Sequence, residues 1–221
     1  MFYSQAAILP LGVGCAYAAA QYSTPCSQHN PTICTIQINF TPMHKSPIKI
    51  LAISGSLRAN SSNNAIIKAV AQMVPKNLQF TIYNDLALIP PFDDSHNIPL
   101  PVINFRHQLQ TADGIFICTP EYAFGVSGVL KNALDWTVSS GELVNKPLAL
   151  VTAATSGDKA HAALLLTFTA LSSTIPPNGE LLIPYVRSKL DAHGSISDPA
   201  TAAQLQQVVN ALVAGISANP A

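Results

Sequence analysis

The sequence predicts an α/β fold of three layers, with a five-stranded parallel sheet in the order 2-1-3-4-5 and helices on both faces. Three observations carry that prediction. Short, near-continuous apolar runs recur along the chain, as strands covered on both faces require. Helical stripes separate those runs, so each strand is followed by a crossover that returns parallel to it. One run alternates apolar with polar residues, and the 2-1-3-4-5 order places the second strand at an edge, where one face is less buried.

The first run, residues 48–53, reads as a buried strand. Ser61 to Asn64 supply cap candidates for the helix that follows, whose stripe is Ile66, Ile67, Val70, Met73 and Val74. Residues 78–83 are the alternating strand, with Leu78, Phe80 and Ile82 against Gln79, Thr81 and Tyr83. A Pro-rich loop at about 86–100 is long enough to imply a role at a pocket or a subunit contact. A helix at about 101–112 leads to the strand 115–118, and a helix at about 128–139 to the strand 148–151. The helix at about 159–173 precedes a last strand at 181–183. Leu205, Val208, Val209, Leu212, Val213 and Ile216 make the final helical stripe.

Composition narrows the partners. The chain has 221 residues and no net charge, and no cluster of Lys and Arg offers a nucleic-acid surface or a polybasic membrane patch. Residues 1–44 contain no Asp, Glu, Lys or Arg, which marks a composition boundary. The apolar stretch 6–20 spans 15 residues, includes Pro10, and falls short of the ~20 that cross a bilayer. Ala16, Tyr17 and Ala18 have the form of a signal cleavage site, yet no Lys or Arg precedes the apolar stretch. A chain begun at Met43 would lead directly into the first strand. The expectation is therefore an extension over 1–44 that is disordered, processed or an over-extended start, and a folded domain over 45–221 in the cytoplasm. Cys15, Cys26 and Cys34 lie in the extension and only Cys118 in the domain; no CxxC spacing supports a zinc or dithiol site. Cys118, inside an apolar run, reads as a buried small residue.

Ligands of a doubly wound sheet bind beyond the carboxyl ends of the strands, so the loops after Ile53, Cys118 and Ala153 decide function. The first reads GSLRANSSN. The hydroxyls of Ser56, Ser61 and Ser62, the amide of Asn63, the guanidinium of Arg58 and a helix N-terminus suit a phosphate dianion. A pyrophosphate would need glycines for close backbone approach; this loop points to a mononucleotide such as FMN. The competing reading is that a serine caps the helix and Arg58 is solvated. The second loop, TPEYAFGVSGVLKNALDW over 119–136, ends a strand at Pro120 and turns tightly through Gly125 and Gly128. Its backbone N–H groups suit the polar edge of a flavin, and Tyr122 or Phe124 could lie against a ring. Glu121 otherwise reads as a solvated carboxylate, Lys131 and Asp135 as a surface i,i+4 pair, and Trp136 as a core or subunit-contact aromatic.

These paired motifs resemble the NADPH-dependent FMN reductase family, flavodoxin-like enzymes that include quinone, azo-dye and chromate reductases. The likeness runs from about Ile48 onward through LIPPFDDS (88–95), TADGIFICTPEY (111–122), NKPLALVTA (145–153) and LDAHGSISDPAT (190–201). It implies that Ser56, Arg58 and Ser61 to Asn63 (Ser61, Ser62, Asn63) hold the FMN phosphate. Pro120, Glu121, Tyr122 and Ala123 would line the flavin ring, and Thr155, Ser156 and Gly157 would border its other side. Two positions depart from many members, which have Asn at Ala123 and Pro at Ser127; the loop TSGDKAHAAL also lacks their Gly-Gly pair and brings in His161. His161 would touch a ligand or stand in solvent. Asp93, Asp94 and His96 lack the further ligands a metal needs.

The mechanism implied is hydride transfer from NADPH to bound FMN, then reduction of a quinone, azo compound, chromate or free flavin on the same open face. The cofactor carries the chemistry, so no catalytic side chain is expected. The resemblance also implies a homodimer or homotetramer. The alternative is a flavodoxin-type FMN electron carrier that never meets NADPH. Such carriers tend to be strongly acidic and to lack Arg in the phosphate loop.

Overall fold

The computed structural model describes residues 47–219, so the expectations for residues 1–44 and for Cys15, Cys26 and Cys34 lie outside the described residues. In chain order the elements begin β1 (Lys49–Ser54), α1 (Ser62–Met73), β2 (Gln79–Tyr83), α2 (Leu100–Thr111) and β3 (Gly114–Thr119). A two-stranded antiparallel hairpin follows, β4 (Glu121–Tyr122) and β5 (Gly125–Val126). The chain continues with α3 (Gly128–Asp135), β6 (Leu148–Ala153), α4 (Asp158–Ala170), β7 (Glu180–Ile183) and α5 (Pro199–Ala218).

The main sheet is parallel throughout, in the order β2-β1-β3-β6-β7. With the hairpin set aside this is the anticipated 2-1-3-4-5 order. Successive residues of a strand face opposite layers, and the two cores divide accordingly. Ile50, Ala52, Phe116, Cys118 and Val151 pack under α1 and α5, against Ile66, Val70, Leu205, Val209 and Leu212. Leu51, Ile53, Ile115, Ile117 and Leu150 face α2, α3 and α4, against Phe105, Leu109, Leu130, Leu164 and Phe168. Both central strands β3 and β6 are buried along their whole length, whereas β2 keeps Gln79 and Thr81 in solvent as the edge strand.

Two helices are shorter than their stripes predict. α3 stops at Asp135 rather than near 139, where the Thr137 and Val138 N–H groups turn to carbonyls three residues back; the Trp136 carbonyl accepts from the Arg106 Nε at 2.9 Å and from its Nη2. Trp136 is fully buried, its Nε1 donates to the Pro90 carbonyl at 2.9 Å, and its ring meets Phe92 edge-on at 5.1 Å. It is a core aromatic. α4 stops at Ala170, where Ser172 turns into the left-handed region. The hairpin β4–β5 and the short 3₁₀ turns Leu86–Leu88 and Val186–Lys189 carry no periodicity of their own and were not anticipated. The long loop after β2 lies on α3, with the Phe92 N–H donating to Asn132 Oδ1 at 2.8 Å and Asn132 Nδ2 to the Pro90 carbonyl at 2.9 Å.

Candidate functional site

The carboxyl ends of β1, β3, β6 and β7 open into one cleft of about 460 Å³. The first loop is brought against the second by Gly55. Its N–H donates to the Cys118 carbonyl at 2.8 Å, and a Cβ there would stand 2.1 Å from Thr119 Oγ1, so only glycine fits. Ser127 Oγ then donates to the Gly55 carbonyl at 2.6 Å, tying the end of the hairpin to the same point. Ser127 is itself buried, and this hydrogen bond satisfies its hydroxyl.

Within the first loop the polar groups divide their work. Ser61 is the N-cap of α1, its Oγ accepting from the Asn64 N–H at 3.1 Å, and Ser56 Oγ accepts from the Arg58 N–H at 3.4 Å. Both serines are buried and neither lines the cleft. Asn63, also buried, donates from Nδ2 to the Ala153 carbonyl at 3.3 Å and accepts from Cys118 Sγ at 3.2 Å. One amide therefore joins all three loops. Burial pushes the Cys118 thiol well above its ordinary pKa, so it stays a protonated donor. Arg58 and Ser62 face the cleft and also the head of a larger groove of about 1010 Å³ that runs along α1 beside Lys68 and the loop around His193.

The second loop is held by its acid. Glu121 is not a solvated carboxylate: Oε1 accepts from the Gly157 N–H at 3.2 Å, and Oε2 from the Lys159 and Ala160 N–H groups at 2.9 Å each. These are the unpaired amides at the start of α4, where negative charge is favoured. Gly157, the residue before that helix, has φ +97°, in the left-handed region that favours glycine. Pro120, Glu121, Tyr122 and Thr155 line the cleft; Ala123, Ser156 and Gly157 do not. Ser156 instead donates to Asp158 Oδ1 at 2.8 Å, which holds that exposed carboxyl below its ordinary range.

The remaining wall is a fourth loop, Tyr185, Val186, Arg187 and Ser188 after β7, outside the three loops that the sequence motifs mark. The signal available was a cation two residues after an aromatic at the end of a predicted strand. Arg187 and Arg58 give the cleft two guanidinium groups, while the carboxylate of Glu121 is engaged with α4. His161 neither lines the cleft nor stands free. Its Nδ1 lies 2.9 Å from Thr152 Oγ1 and Nε2 lies 3.8 Å from Glu180, and burial lowers its pKa against the opposing pull of that carboxylate. Lys131 and Asp135 form the expected i,i+4 pair at 2.5 Å. Among the described residues no group of His, Cys, Asp and Glu is arranged to hold a metal, and no helix is long and apolar enough to cross a membrane.

Residues 48–187 match the model of a family described as NADPH-dependent FMN reductase. The chain belongs to that family. An NAD(P)H-dependent FMN reductase of Pseudomonas aeruginosa is 32% identical over 175 residues, covering 75% of this chain and 93% of the relative. A 2-hydroxy-1,4-benzoquinone reductase of a Burkholderia species is 30% identical over 177 residues, 76% of this chain and 96% of the relative. Among solved structures, the flavoenzyme NAD(P)H:(acceptor) oxidoreductase FerB of Paracoccus denitrificans superimposes with a TM-score of 0.67 at 25% identity, over 77% of this chain and 98% of that one. This FMN reductase family member is thus an NAD(P)H-dependent flavin oxidoreductase with a flavodoxin-like sheet, and FMN and NAD(P)H are its cofactors. The electron-carrier alternative is not favoured.

The cleft suits FMN by the chemistry of its donors. Arg58 and Ser62 stand at the α1 N-terminus, where a phosphate is favoured. Pro120, Tyr122, Ala153, Ala154 and Val186 offer apolar surface for a ring, and no charged acid faces it unpaired.

Proposed function

We propose that the cleft holds FMN with its phosphate on Arg58, Ser62 and the first amides of α1, and its ring between the β4–β5 hairpin and Thr155. The observation that carries this reading is the convergence of Arg58 and Ser62 with Pro120, Tyr122 and Thr155 on one cleft at the carboxyl ends of the strands. Arg58 binds two phosphate oxygens through its planar fork, and Ser62 donates a hydroxyl. Ser56 and Ser61 act one step back, shaping the loop and capping the helix, while Asn63 holds the three loops in register. Ala123, Ser156 and Gly157 act through the loops they shape rather than by lining the cleft. FMN held there would supply the hydride and electron chemistry between NADPH and an acceptor, and the chain's part is to position both partners and to keep the Glu121 carboxylate engaged on α4.

NADPH is the favoured reductant on the family's description, and a quinone on the name of the Burkholderia relative; azo compounds, chromate and free flavin are further acceptors of the same kind of open face. The reductant is an intracellular metabolite, which supports a cytoplasmic location. A homodimer or homotetramer is supported by the apolar side chains of Leu88, Leu100, Ile103 and Val138, which stand in solvent on the long loop, α2 and the turn after α3.

Titration of the flavin-free protein with FMN and with riboflavin tests the phosphate assignment. Wild type binds FMN at least about a hundredfold more tightly, and Arg58→Ala loses about tenfold or more of FMN affinity while leaving riboflavin within twofold, as expected for a charge-assisted pair worth about 1.5–3 kcal/mol. Equal loss for both ligands would contradict the assignment.

A further inference from the structure

Two aromatic side chains, one in the wall of the cleft and one at the tip of the hairpin whose Tyr122 lines it, are held in backbone conformations that glycine usually takes. Phe124, at the tip of the β4–β5 hairpin, has φ +58°, and Ala123 before it has φ +50°. A two-residue turn with both residues left-handed ordinarily selects Asn-Gly; here it is Ala-Phe. Tyr185, at the start of the fourth loop, has φ +51° and ψ +38°. Both side chains project into solvent, Phe124 77% exposed and Tyr185 69%. Neither serves the core.

Bulky residues stay in this region only where the surroundings over-determine it. They do so at both places. The Tyr185 N–H donates to the Thr155 carbonyl at 3.1 Å, and its own carbonyl accepts from Ser188 N–H and Oγ at 2.9 Å each. The hairpin is fixed by the pairing of Glu121 with Val126 and Tyr122 with Gly125, by Glu121 on α4, and by Ser127 on Gly55. The two aromatics come from separate elements. The hairpin is anchored on α4, whereas the chain after Tyr185 continues to Gly194, which approaches Ala65 of α1 on the other layer. Tyr185 and Tyr122 both line the cleft.

We propose that Phe124 and Tyr185 determine acceptor specificity: they are aromatic contacts that favour planar acceptors of more than one ring over compact ions. The proposal rests on the reading that the cleft holds FMN. A flat aromatic substrate gains from stacked or edge-on contact with such side chains, and a small inorganic ion gains nothing from them. Quinone, NADPH and a proton yield hydroquinone and NADP; the reference acceptor ferricyanide takes one electron at a time, two ions per NADPH.

The test compares kcat/KM for menadione with kcat/KM for ferricyanide, at saturating NADPH, in the FMN-loaded wild type, Phe124→Gly and Tyr185→Asn. The ratio is expected to fall about tenfold in each variant. Both replacements suit left-handed backbone, so thermal unfolding is expected at an equal or higher temperature. A structural role alone would move the opposite way. A ratio within twofold of wild type would overturn the proposal, as would loss of an oligomer on size exclusion, because the aromatics would then be covered by a second copy. Absence of flavin reduction by NADPH in the wild type would instead sink the reading of the cleft itself.

Discussion

Glu121 is the residue whose removal discriminates best between a surface carboxylate and a structural one. Its two oxygens accept from three backbone N–H groups at the start of α4, at 3.2, 2.9 and 2.9 Å. Glu121→Ala leaves those amides without their acceptor and removes a negative charge from a helix N-terminus. Truncating a capping side chain costs about 0.5–2 kcal/mol, the charge at the helix end adds about 0.3–1 kcal/mol, and the buried Gly157 amide is the one water replaces least well. The total expected is about 2–3 kcal/mol, read as a lower urea midpoint with an unchanged slope in flavin-free protein. For a domain of this size that is a fall of about 5–10 °C in the melting temperature. Glu121→Gln keeps one acceptor oxygen, so it should lose only about 1 kcal/mol. The hairpin that carries Tyr122 loses its anchor as well, so FMN affinity should weaken in the Ala variant more than in the Gln variant. Losses below about 0.5 kcal/mol in both variants, or equal losses in the two, would refute the capping argument.

Two further outcomes follow from burial and close approach. His161 has a folded pKa below its unfolded value because of burial, so the stability it contributes is present above the unfolded pKa and is lost as pH falls through the folded one. Urea midpoints of wild type should therefore drop on acidification from neutral pH with a slope from this group of at most about 1.4 kcal/mol per pH unit, and His161→Asn should flatten that drop; an identical pH profile in the variant would contradict it. Gly55→Ala places a Cβ 2.1 Å from Thr119 Oγ1, which should destabilise by about 3 kcal/mol or more and weaken flavin binding, and a variant within about 1 kcal/mol of wild type would show that the first loop can shift.

Strand runs and helical stripes made the five sheet strands, their order and the edge position of β2 legible, because burial on one or two faces writes itself into period and composition. The loops were legible only where a motif marked them. Glu121 looked like a loose acid since its partners, the amides of Gly157, Lys159 and Ala160, carry no side-chain signature and lie more than thirty residues away. The fourth loop escaped notice for a similar reason: Tyr185 and Arg187 reach the cleft only because β7 pairs with β6 and the chain then passes toward α1. The two-residue strands β4 and β5 are too short for any periodicity, and their turn lacks the Asn-Gly that would have announced it.

The central claim is that this cleft takes a flavin that NADPH reduces. Anaerobic titration of the FMN-reconstituted protein with NADPH, followed by the flavin's visible absorbance, addresses it directly. The account predicts rapid bleaching that reaches completion near one NADPH per flavin, and recovery of the colour when a quinone is added. Bound flavin that stays oxidised in excess NADPH, or a protein that retains no FMN at all, would contradict it.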